Sequence, residues 1–210
     1  MTEPLPRDLE RLRGLLQSPA APQPARGGGR AAAVLILLAE SAEGYRTVLV
    51  EKRSDLRSHA GQLAFPGGTA ESADADAVAT ALREAQEEVG VDPQAVEVLG
   101  ILPSRHIPRS GFEVTPVVGW WRQPVALQVV DTEELSAVYE VDIDALTDPG
   151  QRNTWRLGDF SGPGFWIEDL YVWGFTAYLL DGLFDLFGWT QAWDKGRIGE
   201  IPPRFRPGIA

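Results

Sequence analysis

The chain has no cysteine, so neither a disulfide framework nor a thiolate metal site is open to it. That absence suits a reducing cytoplasm, which is the expected location. Positive charge is scarce: 19 Lys and Arg stand against 30 Asp and Glu, a formal net charge of −11. A general nucleic-acid surface needs clustered Lys and Arg to meet the phosphate backbone, and this balance argues against one. A secretory leader is not expected either, because the segment from Met1 to Ser18 carries Glu3, Asp8 and Glu10 and has no apolar core. The most membrane-like run, Leu170 to Trp189, is broken by Asp181 and Asp185 and by Gly174, Gly182 and Gly188. A charge at the bilayer centre costs roughly 2.5–3.5 kcal/mol, so this run reads as a packed helix and no membrane partner is expected.

What is present suits one domain of ordinary size: 210 residues, 44% of them apolar, with no internal repeat. Leu9, Leu12, Leu15 and Leu16 recur at helical spacing, which predicts a short helix from Pro6 to Gln17. Residues 1–30 then comprise that helix and a flexible Ala-, Pro- and Gly-rich linker. Apolar, β-branched runs predict strands at 31–39, 47–51, 96–102 and 114–121. A helix is expected from Asp76 to Val89 and a short one near 143–146. Residues 148–163 read as a loop, 167–187 as mainly a long helix, and 191–210 as an irregular tail. Strands mixed with helices predict an α/β sandwich with a mixed sheet.

The most informative segment runs from Pro66-Gly67-Gly68 through Arg83-Glu84-Ala85-Gln86-Glu87-Glu88-Val89-Gly90-Val91. On a helix, Glu84 and Glu88 stack one turn apart with Glu87 beside them, while Val78, Leu82, Ala85 and Val89 share the other side. Three carboxylates on one face repel each other unless a cation sits among them. A hard divalent ion with oxygen ligands, Mg²⁺ or Mn²⁺, is the natural occupant. Taken alone, an Arg-Glu-x-x-Glu-Glu run is more often a solvated helix face. The Gly-Gly turn before it and the Gly90 stop after it shift that balance.

Together these residues resemble the Nudix box of the Nudix hydrolases. Gly68 matches its opening, and Arg83, Glu84, Glu87, Glu88, Gly90 and Val91 match its end. The spacing departs in one place: Gly68 to Arg83 is one residue longer than usual, and Asp74 stands where the early Glu is expected. The resemblance implies a Nudix-type α/β/α sandwich over residues 31–190 and a pyrophosphohydrolase that holds Mg²⁺ or Mn²⁺ on Glu84, Glu87 and Glu88. Arg83 is expected to point away from that cluster and to pair with an acid. Glu84 and Glu134 are both candidates for the proton acceptor.

Upstream, Arg53-Ser54, then Leu56-Arg57-Ser58-His59-Ala60-Gly61-Gln62, then Phe65-Pro66-Gly67-Gly68 resemble the signature of the coenzyme A pyrophosphatase branch. Arginine offers forked, permanent donors matched to phosphate oxygens. Arg53, Arg57 and His59, with Gly67, Gly68 and Arg105, are the expected substrate-binding residues. The branch implies cleavage of coenzyme A to 4′-phosphopantetheine and adenosine 3′,5′-bisphosphate. ADP-ribose, NADH and dinucleoside polyphosphates remain alternatives, as does a Nudix-fold nucleotide-binding regulator without catalysis. The intact box carboxylates favour the enzyme. The partner is a small nucleotide-type molecule, and a homodimer is left open.

Overall fold

The computed structural model describes residues 4–17, 29–42, 44–56, 59–108 and 110–206. In chain order the first elements are α1 (Arg7–Leu16), β1 (Arg30–Ser41), β2 (Gly44–Lys52), β3 (Leu63–Ala64), β4 (Gly67–Thr69) and α2 (Ala77–Val89). Next come β5 (Val96–Ile101), β6 (Arg105–Ile107), β7 (Phe112–Trp121), β8 (Leu135–Asp142) and α3 (Ile143–Thr147). The last are β9 (Arg152–Leu157), β10 (Phe160–Ile167), β11 (Leu170–Val172), α4 (Gly174–Phe187) and β12 (Ile198–Gly199). The chain forms two compact units, residues 1–39 with 66–127, and 40–65 with 128–210.

In the first unit β1 is the spine. Its run Leu35 to Leu38 is at most 1% exposed, as a strand covered on both faces must be. β1 pairs in parallel with β7, from Arg30 opposite Phe112 to Leu38 opposite Trp120. It pairs antiparallel with β4, setting Ala33 opposite Gly68 and Val34 opposite Gly67. β7 also takes β5 and β6 antiparallel, so pairing in this unit is mixed. Helix α1 buries Leu9, Leu12 and Leu16 against β5, where Gly100 leaves room for Leu16, and Arg13 reaches Glu97 at 2.9 Å.

In the second unit β2 pairs antiparallel with β3 and β8, and a separate sheet runs β11-β10-β9-β12. Helix α4 packs on β10, with the Phe165 and Phe184 rings edge to face and 6.0 Å apart. Arg152, fully buried, is paired with Asp181 and lies against the rings of Phe165 and Trp193. No helix among the described residues is long and apolar enough to cross a membrane.

Four sequence expectations are corrected. Gly67–Thr69 is a strand rather than a turn: Gly67 adopts φ +155°, and a Cβ there would stand 2.3 Å from the Ala33 carbonyl oxygen. Residues 148–163 are largely a hairpin, β9 and β10. The glycines that suggested a loop are needed for close approach, Gly162 under the Trp155 ring and Gly164 under Tyr171 and Asn153. The 167–187 segment begins as strand β11 and becomes helix only at Gly174, whose φ is +66°. The tail supplies β12, parallel to β9, and a 3₁₀ turn at Pro203–Phe205. The linker expected at 19–30 falls, but for Gly29 and Arg30, outside the described residues.

Candidate functional site

Helix α2 is fixed at both ends by its own sequence. The Asp76 carboxylate accepts from Ala79 N at 2.9 Å, capping the first turn. Gly90 ends it in the left-handed conformation, φ +77°, with Gly90 N bonding Gln86 O and Val91 N bonding Ala85 O. α2 packs against β4 and β7, which brings its acidic residues beneath the glycine strand.

The three carboxylates diverge in their surroundings. Glu87 is exposed, Glu84 half-buried, and Glu88 only 3% exposed. The burial of Glu88 corrects the expectation that it lies on the polar face of the helix. Its Oε2 accepts from the Gly67 backbone N–H at 2.9 Å, which satisfies a buried charge with a main-chain donor. Gly68 has a matching role: a Cβ there would lie 2.6 Å from the Glu84 carboxylate. Only glycine lets the strand approach the acid so closely.

Arg83 pairs with an acid, as expected, but does not point away from the cluster. It faces the cluster, with Nη1 3.1 Å from Glu84 and 2.9 Å from Glu87. Its Nε and Nη2 donate to the Asp74 carboxylate at 3.0 Å each, and Nη2 donates to the Thr69 carbonyl at 3.0 Å. Asp74 additionally accepts from Glu71 N and Thr80 Oγ1. Arg83 and these donors hold the Asp74 carboxyl far below the usual carboxylate range, and Asp74 in turn raises Arg83. Asp74 is thus the anchor of Arg83, and its signal in the sequence is an acid in the extended loop with a permanent cation nine residues on.

Burial raises the Glu84 carboxyl above its ordinary value, Arg83 opposes this, and Glu88 and Glu87 add to it. A half-buried acid at this position is suited to accept a proton. The donor set is all oxygen, which fits a hard divalent ion. Among the described residues no three acidic or imidazole side chains converge as a coordinating group. Arg83 supplies the positive charge between Glu84 and Glu87, while Glu88 turns toward Gly67.

Arg105 is exposed on β6 opposite Val114. Arg53 belongs to the second unit, where its fork clasps Asp55 at 2.9 and 2.6 Å and its Nη1 donates to the Thr132 carbonyl. His59 bonds Gln62 Oε1 through Nδ1 at 2.8 Å and takes φ +59°. Arg57 lies outside the described residues. Glu134 is paired with Lys52 Nζ at 2.9 Å. Trp120 and Trp121 are buried in β7, which suits a strand end and not a stacking platform.

The chain belongs to the NUDIX domain family, whose pattern it matches over residues 29–157. It is an enzyme of the Nudix pyrophosphohydrolase class, with the mixed α/β fold expected of that class. It is 42% identical over 143 residues to proteins named "Uncharacterized Nudix hydrolase NudL" from Salmonella paratyphi B and Salmonella newport, covering 63% of this chain and 70% of each relative. Among solved structures it is similar to a NUDIX hydrolase from Alicyclobacillus acidocaldarius, with 20% identity and a TM-score of 0.47, covering 57% of this chain and 82% of that one. The NUDIX domain of Shewanella oneidensis NrtR complexed with ADP ribose is similar at 19% identity and a TM-score of 0.45, covering 56% and 75%.

Proposed function

We propose that this chain is a divalent-metal-dependent pyrophosphohydrolase that cleaves coenzyme A or its derivatives to 4′-phosphopantetheine and adenosine 3′,5′-bisphosphate. The observation that carries the hydrolytic part is the half-buried Glu84 beside Glu87 and Glu88 under the Gly67-Gly68 backbone of β4. Glu84, Glu87 and Glu88 would hold Mg²⁺ or Mn²⁺. Such an ion, when bound, neutralises phosphate oxygens and makes a bound water more acidic. Glu84, raised by burial, accepts the water proton, and Glu134, engaged by Lys52, is the weaker candidate. Arg83 anchors the acidic face to Asp74 and to the Thr69 carbonyl, which keeps Glu84 and Glu87 oriented.

The coenzyme A reading draws its support from the segment 53–68 and from the held conformation of His59. A non-glycine residue at positive φ is uncommon and marks a backbone constrained by its surroundings. Arg53, Arg57, His59, Gly67, Gly68 and Arg105 are the residues proposed to contact the substrate. Arg53 would exchange Asp55 for phosphate, a fork-to-fork substitution of one anion by another. The working location is proposed to be the cytoplasm.

The test is a panel of coenzyme A, ADP-ribose, NADH and a dinucleoside polyphosphate with Mg²⁺ and Mn²⁺, products resolved by mass. Coenzyme A is expected to give the two named products at the highest kcat/KM. Brisk turnover of another member with coenzyme A untouched would overturn the substrate assignment.

A further inference from the structure

The second unit contains a buried acid that the hydrolytic chemistry does not use. Glu51, near the end of β2, is 9% exposed. Its Oε2 accepts from the Tyr139 hydroxyl at 2.8 Å and its Oε1 from Arg204 Nη2 at 3.1 Å. Burial, and then the bond to Glu51, pushes the Tyr139 phenol up to about 12, so it remains a donor at physiological pH. Arg204 comes from the 3₁₀ turn Pro203–Phe205, and its Nη1 also lies 3.6 Å from Asp169. That turn has its own anchor. Phe205 is 1% exposed, and its carbonyl accepts from Trp173 Nε1 at 3.0 Å.

The backbone of this turn meets the loop after β2. The Arg204 carbonyl oxygen lies 2.7 Å from where a Cβ on Gly61 would stand, so no side chain fits there. Gly61 has φ +66° and His59 φ +59°, two left-handed residues within three positions. The loop is closed at its base by Gly61 N to Lys52 O and Lys52 N to Gln62 O, each 3.0 Å. Within it, Gln62 N donates to His59 O at 3.0 Å. A left-handed non-glycine residue costs of the order of 1–3 kcal/mol and persists only when its surroundings hold it.

We propose that Arg204 is a positioning residue for substrate binding. Through its ion pair with Glu51 it clamps the tail turn against Gly61, and so holds His59 in its left-handed conformation. Residues 59–62 are thereby fixed in the shape that meets the anionic substrate. This rests on the reading of His59 as a substrate-binding residue. Arg204 is 50% exposed and Glu51 keeps its Tyr139 partner when Arg204 is replaced, so the Arg204 variants are expected to fold.

The experiment compares wild type with Arg204→Ala, Arg204→Lys and Glu51→Gln by amide hydrogen exchange over 59–62 and by steady-state kinetics. In Arg204→Ala and Glu51→Gln the Gly61 and Gln62 amides should exchange faster, and KM should rise about tenfold with kcat within about twofold. Arg204→Lys should recover part of both changes, because it keeps the charge and loses the fork. A purely structural residue would lower Tm and the active fraction without moving KM. Unchanged exchange at 59–62 in a folded Arg204→Ala overturns the clamp. Faster exchange with unchanged KM overturns the positioning role. The kinetics use whichever diphosphate the wild type turns over, so a failed coenzyme A assignment is seen separately, in the wild type alone.

Discussion

At the scale of the residue, the account turns on carboxylates whose surroundings set their charge. Burial raises Glu84, so its protonated form is favoured in the folded state relative to the unfolded one. Its contribution to stability is therefore greatest below the ordinary value of 4.5 and declines as pH rises through the raised one. Glu84→Gln should raise Tm in EDTA at pH 7, and the gain should vanish toward pH 4. Added Mg²⁺ should stabilise the wild type and not the variant, a comparison made by thermal melts. Asp74 has the opposite sign. Its carboxyl is held low chiefly by Arg83, so the stability it contributes is present above the usual 3.8 and is lost as pH falls through the lowered value. Asp74→Asn should lower Tm at pH 7 and converge on wild type in strong acid. Glu88→Gln should spare stability and cost more activity than Asp74→Asn: Gln still accepts from Gly67 N, so Tm changes little, while kcat falls by orders of magnitude. A larger kcat loss from Asp74→Asn than from Glu88→Gln would show that the early acid is the more important group.

At the scale of the element, the two glycines of β4 have separable duties. A Cβ on Gly67 would meet the Ala33 carbonyl oxygen at 2.3 Å and the Val34 Cα at 2.6 Å, both backbone atoms of β1. Gly67→Ala should destabilise by about 2 kcal/mol, read by denaturant unfolding. The three atoms nearest a Cβ on Gly68 all belong to the far end of the Glu84 side chain, which is able to swing aside. Gly68→Ala should keep Tm and lose kcat, and equal behaviour of the two variants would contradict this division. The same region shows what the sequence made legible. The apolar face, the Gly-Gly turn before it and the Gly90 stop predicted α2 to within one residue of its observed Ala77–Val89. The burial of Glu88 was not legible, because helical periodicity counts an acid as polar and does not see a strand amide waiting for it. The β9–β10 hairpin was missed for a related reason. Gly162, Pro163 and Gly164 are breakers in a local window, and only the overlying Trp155, Asn153 and Tyr171 explain them. The Glu51–Arg204 pair joins residues 153 apart, beyond any motif window.

At the scale of the whole molecule, a net charge of −11 must accommodate an anionic substrate. The proposed solution is local: a metal ion on α2 and a few placed arginines. A charge-assisted Arg–phosphate bond contributes on the order of 1.5–3 kcal/mol, about one to two decades in kcat/KM if realised in the transition state. Coenzyme A should therefore be cleaved faster than dephospho-coenzyme A, and Ala in place of Arg53 or Arg57 should erase that preference in competition assays. Equal rates would remove the 3′-phosphate contact and leave the hydrolase standing. The central claim is that hydrolysis runs on divalent ions held by Glu84, Glu87 and Glu88. The most direct measurement is turnover by the wild type across a titration of free Mg²⁺ or Mn²⁺ starting from EDTA. The account predicts no turnover in EDTA and saturable recovery as the ion is added; full turnover in metal-free buffer would contradict it.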